Sequence, residues 1–198
     1  KTEGAIDNSG VIAAQRSATI DTNSTLTNTG TIASQQRLSI TAQALTNTTS
    51  TSNTSSSNTT TTNNTTTNNT TTASGGLIDG QTVLINSARI ENRGAARLYG
   101  DNLILQADTL VNAGETINDI TRAPVIAARN AMMLGVGTLE NRDGGLIFSG
   151  GDLTVGRTVQ STIDPTTGGT HYTTTGFANR INNDSATIEV LGDVFIQA

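Results

Sequence analysis

Several residue types that globular enzymes rely on are scarce or missing in this chain. The 198 residues include no cysteine, no tryptophan, one histidine and two prolines, and aromatic residues make up 3%. Without cysteine there is no disulfide bond, no thiolate metal ligand and no cysteine nucleophile. With so little aromatic bulk, the core must be filled by aliphatic and small side chains. Such a core is typical of solenoids, whose stacked rungs enclose a narrow interior.

Charge and hydropathy argue against two further classes of protein. The chain carries 11 basic and 16 acidic residues, which gives a net charge of −5 at pH 7. Proteins that bind nucleic acid gain affinity by neutralising phosphates, so this balance argues against a nucleic-acid partner. No stretch approaches the roughly 18–20 apolar residues that cross a bilayer. We therefore expect neither a nucleic-acid partner nor a membrane span.

A seven-residue phrase, hydrophobic-x-Asn-x-Gly-x-hydrophobic, recurs along the chain at a step close to 20 residues. It is clearest at residues 6–12 and 26–32, and later copies are more degenerate. A fixed period of this length indicates one structural unit stacked on copies of itself. The asparagines of the seven copies are Asn8, Asn28, Asn47, Asn92, Asn112, Asn141 and Asn183.

A second signature, hydrophobic-x-hydrophobic-x-small, accompanies each phrase, for example at residues 38–42, 83–87 and 103–107. Alternation with period 2 predicts short strands with one face buried. Asn and Gly accept tightly turned or left-handed backbone, so the phrase predicts the corner between strands. Because the pattern runs in one direction only, the strands should stack parallel. We predict an all-β, right-handed parallel β-helix with at least two strands per rung, in which the asparagines form an amide ladder.

The chain is expected to be a single β-helical segment, residues 1–198, of a longer protein, because the pattern starts and stops without capping sequences. Three insertions interrupt it. Residues 48–74 contain Thr, Ser and Asn apart from one alanine, and should be a flexible flap because nothing apolar offsets their ordering entropy. A short insertion spans about 115–123. The third, about 160–180, contains turn residues whose flanks are predicted to pair as a hairpin.

No catalytic constellation emerges from the sequence. The acidic residues lie mostly in turns, for example Asp101, Asp152 and Asp193 just before strands, and are interpreted as turn formers. His171 has no nucleophile or acid at a recognisable spacing, and a solvated loop histidine is the favoured interpretation. We expect no enzyme activity, no cofactor and no metal site. Candidate receptor contacts, all within the third insertion, are Asp164, His171, Tyr172 and Phe177.

Two sets of residues carry a resemblance to a known family. Residues 26–32 and 45–47 resemble haemagglutinin-type repeats of filamentous haemagglutinin exoproteins. Residues 123–130 through 139–153, and 181–189, resemble the segment that follows the first repeat block in contact-dependent growth inhibition effectors of the CdiA type. The resemblance covers nearly the whole chain outside the Thr/Asn tract, which departs from the family pattern.

That family implies two-partner secretion through an outer-membrane transporter, a long β-helical filament on the cell surface and a toxin at a distant C-terminus. It also implies recognition of an outer-membrane protein or surface glycan receptor on a target cell. The expected function is therefore a structural and receptor-recognition segment of a secreted bacterial filament. A host-cell adhesin segment is the close alternative, and a polysaccharide-degrading β-helix enzyme is a remote one.

Overall fold

The computed structural model describes residues 2–57, 67–117 and 119–198, which form strands and turns and no helix. In chain order the strands are β1 (Ile6–Asn8), β2 (Val11–Ala14), β3 (Ala18–Asp21), β4 (Thr25–Asn28), β5 (Thr31–Asn47), β6 (Thr49–Ser57), β7 (Thr67–Gly75), β8 (Leu77–Arg93), β9 (Arg97–Ala113), β10 (Glu115–Ile117), β11 (Ile120–Arg122), β12 (Val125–Arg142), β13 (Leu146–Ser149), β14 (Asp152–Gly156), β15 (Thr158–Ile163), β16 (Thr170–Thr175), β17 (Arg180–Asp184), β18 (Thr187–Val190) and β19 (Val194–Ile196).

Each rung consists of three short segments, one more than the predicted minimum of two. In the rung formed by β5 they are residues 31–34, 37–42 and 44–47, and each pairs in parallel and in register with β8. Equivalent segments of successive rungs lie above one another in three columns, which we call the first, second and third stack in the order of these segments. The pairing continues from β8 to β9 and from β9 to β12. In the flanking rungs the same three segments are separate strands, as in β2, β3 and β4.

The three stacks share one hydrophobic core. In the rung of β5, alternate side chains of all three segments are buried, among them Ile32, Leu38, Ile40 and Leu45, each at most 1% exposed. Burying one such side chain stabilises the fold by about 1.5–3 kcal/mol, and the pattern repeats from rung to rung. The predicted parallel β-helix is confirmed, and its rigidity comes from parallel main-chain pairing around an aliphatic core.

The glycine position of the repeat meets two different requirements in different copies of the phrase. Gly30, the glycine of the second phrase, does not have a positive φ. A Cβ at Gly30 would lie 2.1 Å from the carbonyl oxygen of Gly10 in the rung below. The phrase therefore requires glycine there because two rungs approach closely at this corner. The predicted left-handed backbone is found at the same phrase position in three later copies, at Gly94, Asp143 and Ser185, with φ of 60°, 54° and 53°.

The three insertions leave the rod at two different corners. Strands β6 and β7, and then β10 and β11, pair antiparallel between a third-stack segment and the next first-stack segment. The flap expected at 48–74 is thus an antiparallel ribbon along residues 49–57 and 67–75, because main-chain pairing needs no apolar side chains. Residues 58–66 of this insertion lie outside the described residues. Strands β15 and β16 pair antiparallel between the second and third stacks, as the third insertion predicted.

Candidate functional site: the hairpin on the second stack

The asparagines of the repeat form a continuous ladder at the end of the third stack. From Asn8 to Asn141, each side-chain amide donates one hydrogen bond to the Oδ1 atom of the next asparagine, at 2.7–2.9 Å. It donates another to a main-chain carbonyl at the start of the first stack, at 2.9–3.1 Å. The members, in order along the rod, are Asn8, Asn28, Asn47, Asn92, Asn112, Asn141 and Asn183.

The ladder has little capacity to bind a ligand. The five central asparagines are 0% exposed. From Asn8 to Asn141 each amide group donates to both a neighbouring asparagine and a carbonyl, so both of its hydrogens are used within the protein. Fully satisfied buried polar networks rigidify a structure and fix its register. The phrase that defines the repeat therefore contributes to architecture, and the search for a functional site moves to the insertions.

The hairpin formed by β15 and β16 is clamped to the rod by one glutamine. The backbone N–H of Val159 donates to Gln106 Oε1 at 2.7 Å, and Gln106 Nε2 donates to the carbonyl oxygen of Arg157 at 3.4 Å. An ion pair of 3.0 Å between Arg157 and Asp108 lies beside them. These contacts hold the base of the hairpin against the outer side of the second stack.

Apolar side chains on the rod surface provide the seat of the hairpin. Leu84, Ile104 and Met133 occupy equivalent, outward-facing positions in three successive rungs. Ile104 is only 7% exposed although its neighbours in the strand face the core. Tyr172 of β16 and Val159 of β15 line grooves together with Ile104. The hairpin thus removes Ile104 from solvent, whereas Leu84 and Met133 are half-buried and line the grooves beside it, and the burial of Ile104 helps to fix the position of the hairpin on the rod.

Two grooves flank Tyr172 where the hairpin meets the rod. One, of about 330 Å³, is lined by His171 and Tyr172 on the hairpin and by Thr82, Asn102 and Met133 on the rod. The other, of about 240 Å³, lies on the side of β15. Both combine apolar walls with hydroxyl and amide groups. Surfaces of this kind suit a loop or side chain of a protein partner.

The four predicted receptor contacts do not form one cluster. His171 and Tyr172 are adjacent on β16, where His171 is opposite Thr162 in the register. Asp164 lies at the tip of the hairpin, whereas Phe177 follows its base and is 68% exposed. Six residue pairs separate tip from base, a distance of roughly 20 Å at the rise of a strand. The structure therefore brings together His171 and Tyr172 only.

Asp164 organises the hairpin turn. Its carboxylate accepts hydrogen bonds from the backbone N–H of Thr166 at 2.8 Å and from the hydroxyl of Thr167 at 2.8 Å. These hydrogen bonds, with that from Thr166 as the largest contribution, lower the pKa of Asp164 below its usual value. The backbone N–H of Gly168, which has a φ of 70°, donates to the carbonyl oxygen of Asp164. The residue closes the turn, and much of its hydrogen-bonding capacity is used there.

Several other charged residues form ion pairs on the surface of the rod. Arg89 and Arg93 both contact the carboxylate of Glu91, at 2.5 and 2.7 Å. The hydrogen bond from Arg93 is the main cause of the lowered pKa of Glu91. Arg129 pairs with Asp101 at 2.9 Å. Among the described residues, no group of three or more His, Asp or Glu is placed to hold a metal ion.

Sequence reasoning did not identify Gln106 and Ile104 as the residues that seat the hairpin. The sequence does contain an indication of this outward-facing row, because Leu84, Ile104 and Met133 each lie between two apolar neighbours. In residues 83–85, 103–105 and 132–134 the strict alternation of a half-buried strand is replaced by three consecutive apolar residues. A central apolar residue in such a triplet faces outward and needs a cover.

Comparison of the chain with protein-family models, curated proteins and solved structures gave no match. In the described part of the chain, no helix has the length and apolarity to cross a membrane.

Proposed function

We propose that this chain is a structural and receptor-recognition segment of a secreted bacterial surface filament that delivers a toxin to neighbouring cells. The single observation that carries the proposal is the clamped hairpin of β15 and β16. It projects from a rigid rod and presents His171 and Tyr172 beside a groove. Recognition residues typically lie on loops held by a rigid scaffold, because the scaffold fixes their geometry while the loop varies.

The resemblance to growth inhibition effectors supplies the wider context of the proposal. It assigns the chain to a bacterial cell surface, reached through a two-partner-secretion transporter of the outer membrane. The partner would be an outer-membrane protein or surface glycan receptor on the target cell. A host-cell adhesin segment is the alternative, since the same rod and hairpin serve either target. A polysaccharide-degrading enzyme has less support, because the acidic side chains described above are engaged in ion pairs and turns.

A shortened hairpin tests the proposal. Gln160 and Thr173 are opposite each other in the register, so residues 161–172 can be replaced by a two-residue Asn-Gly turn. The change removes Asp164, His171 and Tyr172 but keeps the contact between Val159 and Gln106. The matched control replaces residues 116–121 with the same turn between Glu115 and Arg122, which are also register partners.

Fluorescently labelled chain is then incubated with Gram-negative cells and with cultured epithelial cells, and bound label is measured by flow cytometry. We expect binding to bacteria that is lost in the shortened hairpin and retained in the control, with both variants keeping a β-rich circular dichroism spectrum. Binding to epithelial cells alone would favour the adhesin. Equal binding by both variants would overturn the role of the hairpin. Release of reducing ends from a glycan would favour the enzyme.

A further inference from the structure

A second surface of the rod, on the first stack, carries an arrangement that the hairpin does not involve. The whole chain contains five Tyr and Phe residues. Two of them, Tyr99 and Phe148, occupy equivalent outward-facing positions two rungs apart, with Ala127 between them in the register. Parallel strands lie about 4.8 Å apart, so the two rings are separated by roughly 9.6 Å along the rod. The small side chain of Ala127 leaves the space between them open.

These rings line one groove of about 580 Å³, the largest of those described here. Polar side chains at the adjoining corner, between the first and second stacks, form its other wall. One such side chain comes from each of four successive rungs. In order along the rod they are Gln35, Gln81, Asp101 and Arg129. Arg129 is 79% exposed although it pairs with Asp101, so its guanidinium has donors left for a ligand. The groove therefore offers two apolar platforms beside a row of hydrogen-bonding groups.

The charge around the groove selects against an acidic ligand. In the register, Asp79 precedes Tyr99 and Glu189 follows Phe148, so a carboxylate stands at each end of the aromatic positions. Both acidic residues are exposed. Arg129 is already neutralised by Asp101 at 2.9 Å. A ligand with carboxylates or phosphates would meet net negative charge, whereas a neutral ligand rich in hydroxyl groups would not.

An extended peptide does not fit this surface. Side chains on one face of an extended peptide repeat at roughly 6.6 Å, which does not match rings separated by two rungs. The main-chain groups of β9 and β12 are also paired on both sides, so no free sheet edge is available for an added strand. A ligand with one aromatic or sugar ring would occupy only one of the two platforms.

We propose that the groove binds a neutral, extended β-1,4-linked glycan, with Tyr99 and Phe148 stacking on alternate sugar rings. In such a chain successive rings are turned over, and alternate rings present the same face at the spacing of two pyranose units. The C–H groups of that face pack on the electron-rich face of an aromatic ring. The hydroxyl groups would bond to the amides of Gln35 and Gln81, which both donate and accept, and to the guanidinium of Arg129, which donates.

Isothermal titration of the whole chain with cellohexaose and N-acetylchitohexaose tests the site. At least one of the two should bind, and Tyr99→Ala or Phe148→Ala should each weaken binding on the order of tenfold. Tyr99→Phe should retain it, which separates loss of the ring from misfolding. Phe195→Ala, which removes an exposed aromatic side chain on β19 outside the groove, is the matched control and should leave binding unchanged.

Two further titrations test the spacing and the charge. Maltohexaose, whose α-1,4 linkages curve the chain, and hexagalacturonate, which is acidic, should both bind more weakly. Equal binding of maltohexaose would overturn the spacing argument, and tighter binding of hexagalacturonate would overturn the charge argument. Failure of both β-1,4 hexasaccharides to bind, or no effect of the two alanine variants, would overturn the site. Each of these outcomes is independent of whether the hairpin recognises a cell.

Discussion

Removing one asparagine from the middle of the ladder should have a large and local effect on stability. Asn112 is 0% exposed. It accepts a hydrogen bond from Asn92 at 2.9 Å and donates to Asn141 Oδ1 at 2.8 Å and to the carbonyl oxygen of Leu146 at 3.0 Å. Asn112→Ala removes all three. Asn92 and Asn141 cannot bridge the gap, because they are two rungs apart, or roughly 9.6 Å.

The expected loss of stability follows from the buried polar groups that Asn112→Ala leaves without hydrogen-bond partners. A buried donor or acceptor that loses its partner costs about 1–3 kcal/mol. The lower part of that range applies to carbonyl oxygens, which tolerate partial satisfaction better than N–H groups do. One amide hydrogen of Asn92, Asn141 Oδ1 and the Leu146 carbonyl are affected, so we expect Asn112→Ala to lower the free energy of unfolding by about 3–6 kcal/mol. Whole domains are stable by only about 5–15 kcal/mol.

Asn183→Ala is the matched control. Asn183 is the last member of the ladder and is exposed, and it accepts from Asn141 at 2.7 Å and donates to the carbonyl oxygen of Ala186 at 3.2 Å. Water can replace these partners, so the loss should be about 1 kcal/mol or less. Urea unfolding followed by far-ultraviolet circular dichroism measures both variants. Equal losses in Asn112→Ala and Asn183→Ala would refute the view that buried amides sustain the rungs.

Asn112→Asp adds a pH test of the same position. A carboxylate accepts from Asn92 but cannot donate to Asn141 or Leu146 while ionised. Burial and the facing oxygens should raise the pKa of this carboxyl group in the folded state above its unfolded value. Ionisation of the buried carboxyl group therefore costs no stability below the unfolded pKa, about 4. The loss of stability grows as pH rises from there towards the folded pKa. Asn112→Asp should gain stability relative to Asn112→Ala on acidification, and a pH-independent difference would contradict this.

Three other perturbations test the corner, the hairpin clamp and its turn. Gly30→Ala should destabilise the rod by several kcal/mol, because its Cβ would lie 2.1 Å from a carbonyl oxygen. The Cβ of Gly10→Ala meets nothing within 4 Å, so this control should change the free energy of unfolding in urea by less than about 0.5 kcal/mol. Gln106→Ala should leave the rod folded but speed proteolytic cleavage of the hairpin, and an unchanged cleavage rate would show that the clamp is dispensable. The turn held by Asp164 should stay ordered above pH of about 4 and loosen as pH falls through its lowered pKa; amide exchange at Thr166 measures this, and Asp164→Asn should remove the pH dependence.

The fold was predictable because the repeat and the alternation point to the same answer. A period close to 20 residues fixes the rung, and alternation within residues 38–42 fixes which side chains face the core. The ladder followed from the same period, since equivalent residues in a parallel stack lie above one another. The first stack was not recognised as a separate strand because its segments, such as residues 31–34, are short and adjoin the glycine corner.

The site was only partly predictable, because it depends on contacts between segments that are distant in sequence. The turn residues around Asp164 indicated a hairpin, but nothing local indicated that Gln106, some 50 residues earlier, would hold its base. The pairing of β6 with β7 was not predicted, because composition describes side chains whereas these strands pair through the main chain. The close approach between rungs at Gly30 was not predicted, since a neighbouring rung is not visible in one phrase.

The outward-facing positions of the rungs are the most informative about function. Inward positions are constrained by the core and the ladder, so they report architecture alone. An outward apolar residue has an unfavourable exposed surface unless something covers it. Ile104, at 7% exposure, is covered by the hairpin, and Val111, at 0%, lies in register between Glu91 and Glu140 within a network of ion pairs.

Tyr99 and Phe148 differ from these residues. They are outward-facing and apolar, but they line an open groove rather than lying beneath another part of the described chain. In the proposal made above, the glycan covers these two rings. This is testable, because Ala127→Leu would fill the gap between the rings without touching the core side of the strand. That substitution should weaken glycan binding as much as loss of one ring, and should leave the unfolding midpoint in urea unchanged.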